Sequence, residues 1–569
     1  MKGGLSMGSK KQSRLIIACA IVHLAASLFY EPVLFGAAAV STLGSGDIGG
    51  IATLIASKLI GALLILLFWR TLIRLFAGSY PKRAVISFFV LFAVSLIVIA
   101  IVYPQNYAYE TDSLLIYEDA ITYQPAYWHH YLTGSFFAGC YMLLPHPVSL
   151  MLVQSAFFSA LIASVFSRLA GRFGSGRAWF AFLLLLVPVS FYVQYSPYRN
   201  CLYTILCMFA CSELLFFWLD GEAPPLWRVI RVALAFSLIA IWRSEGILLF
   251  LLLPLGLWLV CRAPARRVIC LTLASAAAAM LLALPQTIGM AQSGMNGNYR
   301  IVSTMNALQD ICNAADFSLD YDGGEEDAAI IESFVPSAYL KEYGLAGYRA
   351  FNAANGRNIN DSGQTDDQID AFMGAYARVV LHNLPAFVRS QGNRFLFALK
   401  FPEIFSADEF SGTHTELPAA TVVSTAADSQ EATLAALDKG AFWRAGSGSA
   451  AAGTGDFLRE NLGNLIYLYD AKTRQASIVV RALLPIAAVS VGLIAGRRKK
   501  SAFPILFFVI LAAELGAVIL MAPEGRTAYY YPTLFCGYLF VLILAPFCRA
   551  GSGRKRLARI RKETEREQI

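Results

Sequence analysis

Four short polar clusters interrupt an otherwise apolar chain, and their residue types belong to the chemistry of phosphate and hydroxyl groups. The first reads Tyr109-Glu110-Thr111-Asp112-Ser113, then Tyr117-Glu118-Asp119-Ala120, then Tyr127-Trp128-His129-His130-Tyr131. The second is Tyr198-Arg199-Asn200 and the third Arg243-Ser244-Glu245-Gly246. The fourth is Pro523-Glu524-Gly525-Arg526, followed by Tyr529-Tyr530-Tyr531-Pro532. A carboxylate can take the proton of an attacking hydroxyl as general base. Arginines can hold a phosphate in a charge-assisted fork and stabilise it as a leaving anion. Aromatic rings can stack on a sugar and seat a headgroup at a membrane surface. Together these groups suit transfer of a sugar from a lipid phosphate to an acceptor hydroxyl. Glu110, Asp112, Glu118 and Asp119 are the candidate catalytic carboxylates. Arg199, Arg243, Glu245, Glu524, Arg526, Tyr117, His129 and His130 are the candidate substrate-binding groups.

The elements that must position these clusters are membrane spans. Hydrophobic residues make up 57% of the 569 and charged residues only 15%, against about 25% charged in soluble globular chains. Apolar runs of the length that crosses a bilayer core recur along the chain. They predict an all-α polytopic membrane protein with about twelve spans, near 15–36, 51–77, 85–103, 148–167, 178–196, 201–219, 229–242, 246–261, 268–288, 476–496, 502–521 and 528–548. The stretch 131–147 is apolar but short and broken by Gly139 and Pro145, which suggests an interfacial or re-entrant segment. The N-terminal apolar run behind Lys10, Lys11 and Arg14 reads as an uncleaved first span.

Lys and Arg alternate between loops. Arg70, Arg74, Lys82, Arg83, Arg168, Arg172, Arg177, Arg228, Arg231, Arg262, Arg266, Arg267 and the 497–500 run fall in one set with both termini. Loops 37–50 and 104–147 contain none. The positive-inside rule then places both termini in the cytoplasm of a cell (inner) membrane and all four polar clusters on the outer face. The net charge of +8 follows from this topology and does not call for a nucleic-acid partner. The cysteines lie mostly inside apolar runs with no CxxC pair, so they read as packing residues.

Three regions follow. Residues 1–290 hold about nine spans, with a catalytic first outer loop at 104–147. Residues 291–475 form a large, mainly helical extracytoplasmic loop domain between spans 9 and 10, with a Gly/Ser/Ala-rich flexible stretch at 418–456. Residues 476–569 hold three spans and a basic tail. Within the loop domain, Tyr376, Val379, Val380 and Leu384 have helical spacing, which suggests helices lying against the membrane surface.

These motifs resemble those of the GT-C superfamily, the bacterial-type membrane glycosyltransferases that depend on polyprenyl-phosphate sugars. The resemblance rests on Glu110-Thr111-Asp112-Ser113 with Tyr117 and Ala120 in the first outer loop, and on Arg199-Asn200 opening the run 201–219. It rests also on Trp242-Arg243-Ser244-Glu245-Gly246 and on Pro523-Glu524-Gly525-Arg526 before a Tyr-rich last span. It covers most of the membrane part. It implies an inverting transfer from a polyprenyl-phosphate sugar lipid to a cell-envelope glycan, lipid or protein at the extracytoplasmic face. Asp112 matches the family's acidic position most closely. The adjacent Asp-Glu pair of the protein mannosyltransferase branch is absent, so the base stays open among the four carboxylates. No cofactor is required by this reading, although a divalent cation could assist at the phosphate; no metal ligand set is readable.

Each cluster also has a structural alternative. The carboxylates could form a solvated outer loop, and Arg243 with Glu245 could be an ion pair at a helix end. Arg526 could anchor a span to headgroups, and Lys58 inside the second span could snorkel or face a headgroup. His129 and His130 are adjacent and point to different faces, which favours an interfacial role over a metal pair. Competing functions are an O-antigen ligase or polymerase-like enzyme, which would use Arg300, Arg389 and Arg394 of the large loop, and a lipid-linked-saccharide transporter or flippase.

Overall fold

The computed structural model describes residues 9–102, 111–127, 129–174, 176, 178, 199–221, 224–243, 245–261, 263–293, 295–335, 340, 365–398, 484–521 and 530–549. These residues form helices and connecting turns with no strand among them. Two compact units divide the chain: residues 1–285, 429–514 and 531–569, and residues 286–428 with 515–530.

The first unit opens with α1 (Ser9–Phe35), α2 (Ala38–Ser45), α3 (Ile48–Phe76) and α4 (Lys82–Val102). Then come α5 (Thr111–Thr122), α6 (Tyr131–Leu143), α7 (Ser149–Phe173), α8 (Arg199–Asp220), α9 (Leu226–Trp242), α10 (Gly246–Val260) and α11 (Ala265–Ser293). The local signals are legible. Asp47 caps α3 by accepting from the backbone N–H of Gly49 at 3.1 Å and Gly50 at 2.8 Å, which satisfies two of the donors a helix start leaves open. The helix then runs through an apolar stretch with Arg74 in its last turn.

Eight helices among the described residues are long and apolar enough to cross a membrane: 10–32, 48–76, 82–100, 149–173, 199–220, 265–292, 503–520 and 530–549. Their outward faces are apolar. Val22, Phe29, Phe76 and Leu281 are each more than two-thirds exposed, a surface suited to lipid and not to water. The chain is an all-α, multi-pass membrane protein. The expected span at 178–196 lies outside the described residues except for Ala178.

Two expectations gain detail. The runs expected as spans at 229–242 and 246–261 form α9 and α10, joined as a tight hairpin. Their 17 and 15 residues extend about 25 and 22 Å at 1.5 Å per residue. The arm α10 is broken further, ending in a π-helical turn at Gly256–Val260. The second change concerns 131–147, where Gly139 does not break the helix. It lies inside α6, where a Cβ would meet Ile60 Cγ2 at 2.8 Å and the Gly61 backbone nitrogen at 3.0 Å. Its missing side chain lets α6 cross close against α3. Every residue from Tyr131 to Met142 is buried, and the helix ends before Pro145, as proline requires.

The second unit packs α12 (Met295–Cys312), α13 (Gly324–Phe334), α14 (Asp366–His382) and α15 (Leu384–Ala398) around Leu308, Ile311, Phe334, Phe372 and Val379. The start of α14 carries a capping box between Thr365 and Gln368. Buried Asp327 accepts from Arg378 Nε and Nη2 and from Tyr321 Oη. The arginine holds its carboxyl below the usual aspartate range. The stripe Tyr376, Val379 and Val380 faces this protein core, not a membrane surface, because α12 and α13 cover the same face. Leu381, Leu384 and Val388 remain exposed. Residues 418–456 lie outside the described set.

The final part of the chain contributes a helix over 484–499, α16 (Phe503–Met521) and α17 (Tyr530–Arg549).

Candidate functional site

The segment 111–143 is built as α5, a turn at 123–130, and the buried α6. Tyr117 is buried and meets the Tyr141 ring edge-on at 6.0 Å. Glu118 is exposed. Asp119 is buried, and its Oδ1 accepts from the Ala126 N–H at 2.9 Å. Asp119 therefore ties the turn to the end of α5. Glu110 lies outside the described residues. Asp112 falls in the first turn of α5, with its side chain outside them.

The turn holds two tyrosines in the left-handed region, Tyr123 at φ 56° and Tyr127 at φ 58°. Bulky side chains disfavour this region, at a cost on the order of 1 kcal/mol each. Both hydroxyls find fixed partners that offset it. Tyr127 Oη donates to Asp47 Oδ1 at 2.6 Å. Tyr123 Oη donates to Glu31 Oε1 at 2.7 Å and accepts from Lys58 Nζ at 3.2 Å, and Lys58 pairs with Glu31. Lys58 thus joins α3 to α1 and to the turn in place of snorkelling outward.

His130 caps α6, its Nδ1 accepting from the Leu132 N–H at 3.3 Å while its ring stacks on Tyr131 at 4.8 Å. Burial pushes its pKa down to about 4, so the ring is neutral at pH 7 and able to accept. His129 is also buried. Among the described residues no group of three His, Cys, Asp or Glu is placed to hold a metal ion.

Asp119 gives a pH prediction. Burial, with Glu118 adding, pushes its carboxyl from 3.8 up to about 7 against the opposing Ala126 hydrogen bond. The folded state then binds more protons than the unfolded state between these values, so stability falls as pH rises through that window and stays low above it. Asp119→Asn keeps the acceptor and removes the titration. It is expected to raise the apparent melting temperature above pH 7, with an upper bound of about 4 kcal/mol at 1.36 kcal/mol per pK unit. It should also flatten the pH dependence between about 4 and 7. Fluorescence-monitored unfolding of the detergent-purified protein across pH reads both; a wild-type slope retained in Asp119→Asn would refute the assignment.

The second polar cluster forms where the start of α8 meets the α9–α10 turn. Arg243 is 9% exposed; its Nε pairs with Glu245 Oε1, and its Nη1 donates to Asn200 Oδ1. Its guanidinium lies 5.8 Å from the Tyr203 ring centroid. The turn can close this tightly because residue 246 is glycine. A Cβ there would overlap the Ile239 carbonyl oxygen and reach 3.1 Å from Tyr203 Oη. The sequence did not single out Glu514, which is 1% exposed, accepts from Thr533 Oγ1, and interacts electrostatically with Arg243 and Glu245. It was signalled in one way: it is the sole charged residue in the apolar run Phe503–Met521, and intramembrane carboxylates are rare without a role. Arg199 sits at the first position of α8. Glu524 and Arg526 lie outside the described residues.

The opposite end of α8 is basic. Glu213 accepts from Arg168 at 2.5 Å and Arg228 at 2.7 Å, and Asp220 pairs with Arg172. Lys499 Nζ donates to the Trp218 and Leu219 carbonyls at 2.5 and 3.0 Å. Asn200 and Asp220 are separated by about 30 Å of helix at 1.5 Å per residue. Basic residues from three separate loops therefore converge at one end of the first unit, and the Arg243 cluster lies at the other. Compared with known proteins, the chain matches no protein-family model, no curated protein and no solved structure.

Proposed function

We propose that this chain is an integral membrane glycosyltransferase that moves a sugar from a polyprenyl-phosphate donor to a cell-envelope acceptor at the extracytoplasmic face. The observation that carries the reading is the buried Arg243, held by Asn200 and Glu245 at the end of α8 opposite the arginine-rich rim. By the positive-inside rule that rim is cytoplasmic, which puts Arg243 on the outer side with both termini inside. A guanidinium fixed there suits a lipid phosphate arriving from the membrane surface.

In the proposed reaction Asp112, or one of its acidic neighbours, accepts the proton of the acceptor hydroxyl. The hydroxyl oxygen forms a bond to the anomeric carbon as the bond from that carbon to the phosphate oxygen breaks. The lipid phosphate leaves as an anion stabilised by Arg243, with Arg526 and Arg199 as its further partners, and the configuration inverts. About twelve spans and the role of 291–475 as an outer domain belong to the same proposal.

Purified protein in detergent, given a panel of polyprenyl-phosphate sugars and an envelope extract, should transfer sugar. Asp112→Asn and Arg526→Ala, checked for folding, should each lose transfer by at least about a hundredfold, the lower range for losing general-base or anion-stabilising groups. Retained configuration at the anomeric carbon would overturn the single displacement, and full activity in Asp112→Asn would remove that residue as base. The Glu31–Lys58 pair between two spans favours a second reading, a lipid-linked-saccharide transporter, because charges within spans mark substrate pathways. Substrate movement without bond formation would establish it.

A further inference from the structure

The basic end of the first unit carries more positive charge than its ion pairs consume. Four guanidiniums, those of Arg168, Arg172, Arg228 and Arg231, gather around two carboxylates, Glu213 and Asp220. Arg168 and Arg228 share Glu213, and Arg172 takes Asp220. Arg231 makes no direct ion pair among the described residues; Glu213 attracts it only from a distance, and Arg228 repels it. It is exposed, and its guanidinium lies over two rings, 4.4 Å from the Trp227 centroid and 5.7 Å from that of Phe209. Arg70, at the corresponding end of α3, is near enough to repel it and is likewise exposed with no ion pair among the described residues.

Like charges held together at a surface cost free energy unless an anion joins them. The neighbouring surface identifies that anion. Beyond Arg231, the outward face of α9 is Trp227, Ile230 and Leu234, which are 57%, 42% and 53% exposed. An aromatic ring at the helix end with an apolar row above it is the profile of a membrane interface. A free phosphate would use the arginines alone, whereas a phospholipid would use the arginines for its phosphate and the row for its chains.

We propose that Arg231 and Arg70, beside Trp227, form a binding site for the phosphate headgroup of an anionic phospholipid, with an acyl chain lying along Ile230 and Leu234. The site is independent of the proposed transfer reaction and lies at the other end of α8 from Arg243. It differs from a general surface attraction in being localised to two side chains.

The test reconstitutes the full chain in nanodiscs of mixed phosphatidylcholine and phosphatidylglycerol and counts the lipids retained after detergent extraction by native mass spectrometry. The wild type should retain phosphatidylglycerol over phosphatidylcholine by at least about fivefold, the effect of roughly one basic contact near an anionic surface. Arg231→Gln and Arg70→Gln should each bring the ratio toward parity. Arg267→Gln, an exposed arginine at the start of α11, should leave it unchanged. Neither Arg231 nor Arg70 makes a direct ion pair among the described residues, and Glu213 keeps Arg168 and Arg228, so both variants should be recovered folded. No preference in the wild type, or an equal loss in Arg267→Gln, would overturn the site. Thermal stabilisation by inorganic phosphate alone, equal to that by phosphatidylglycerol, would overturn its assignment to a lipid.

Discussion

Arg243→Met is expected to abolish transfer and to destabilise the first unit by about 3–5 kcal/mol, the usual loss when one member of a buried ion pair is removed. The side chains of Arg243 and Glu245 are 6% and 8% exposed, so solvent cannot replace the missing cation. Glu245 would be left facing the repulsion of the more deeply buried Glu514, and Asn200 would lose the donor to its side-chain carbonyl oxygen. Destabilisation and loss of function would then coincide. The double variant Arg243→Met/Glu245→Gln separates them, because it removes the charge on both sides. It is expected to recover most of the folded yield and melting temperature while remaining inactive. Recovery of transfer in the double variant would make the pair a structural device and would withdraw Arg243 from the phosphate.

Gly246→Ala is expected to be nearly as damaging, although it adds a single methyl group. The new Cβ would overlap the Ile239 carbonyl oxygen, a backbone atom that cannot rotate away as a side chain can. Overfilling a packed core costs about 1–3 kcal/mol, and a backbone clash belongs at or above the top of that range. Relief requires α10 to move off α9, and the turn between them carries both Arg243 and Glu245. The variant should therefore lower the melting temperature and weaken donor binding together. Gly392→Ala, at a helical position with open space around it, serves as the control and should be neutral or slightly stabilising. A Gly246→Ala protein with wild-type melting temperature would contradict the tight hairpin.

The sequence by itself determined the class of this protein, because the bilayer imposes its constraint locally. A span must be apolar for about twenty residues whatever it packs against, so runs such as 51–77 and 502–521 reappear as 48–76 and 503–520 within a few residues. Charge alternation along the chain likewise foreshadowed the gathering of Arg168, Arg172, Arg228 and Lys499 at one end of α8. Arg243, Glu245 and Asn200 were visible as short motifs. Their mutual contact was not, since residues 200 and 243 meet only when two helices pack.

What the tertiary structure decided is which charged groups share a site and which serve the fold. Asp119 stood in sequence as one of four candidate carboxylates, behind Asp112; burial and the Ala126 N–H make it a turn anchor. Lys58, Glu31 and Tyr123 lie in three separate segments and form one network only because α1, α3 and the 123–130 turn converge. Glu514 was not singled out in sequence; only the fold brings it into electrostatic reach of Arg243 and Glu245 and onto Thr533 of α17. The tight turn between α9 and α10 was not legible either, because it rests on residue 246 having no Cβ to meet the Ile239 carbonyl.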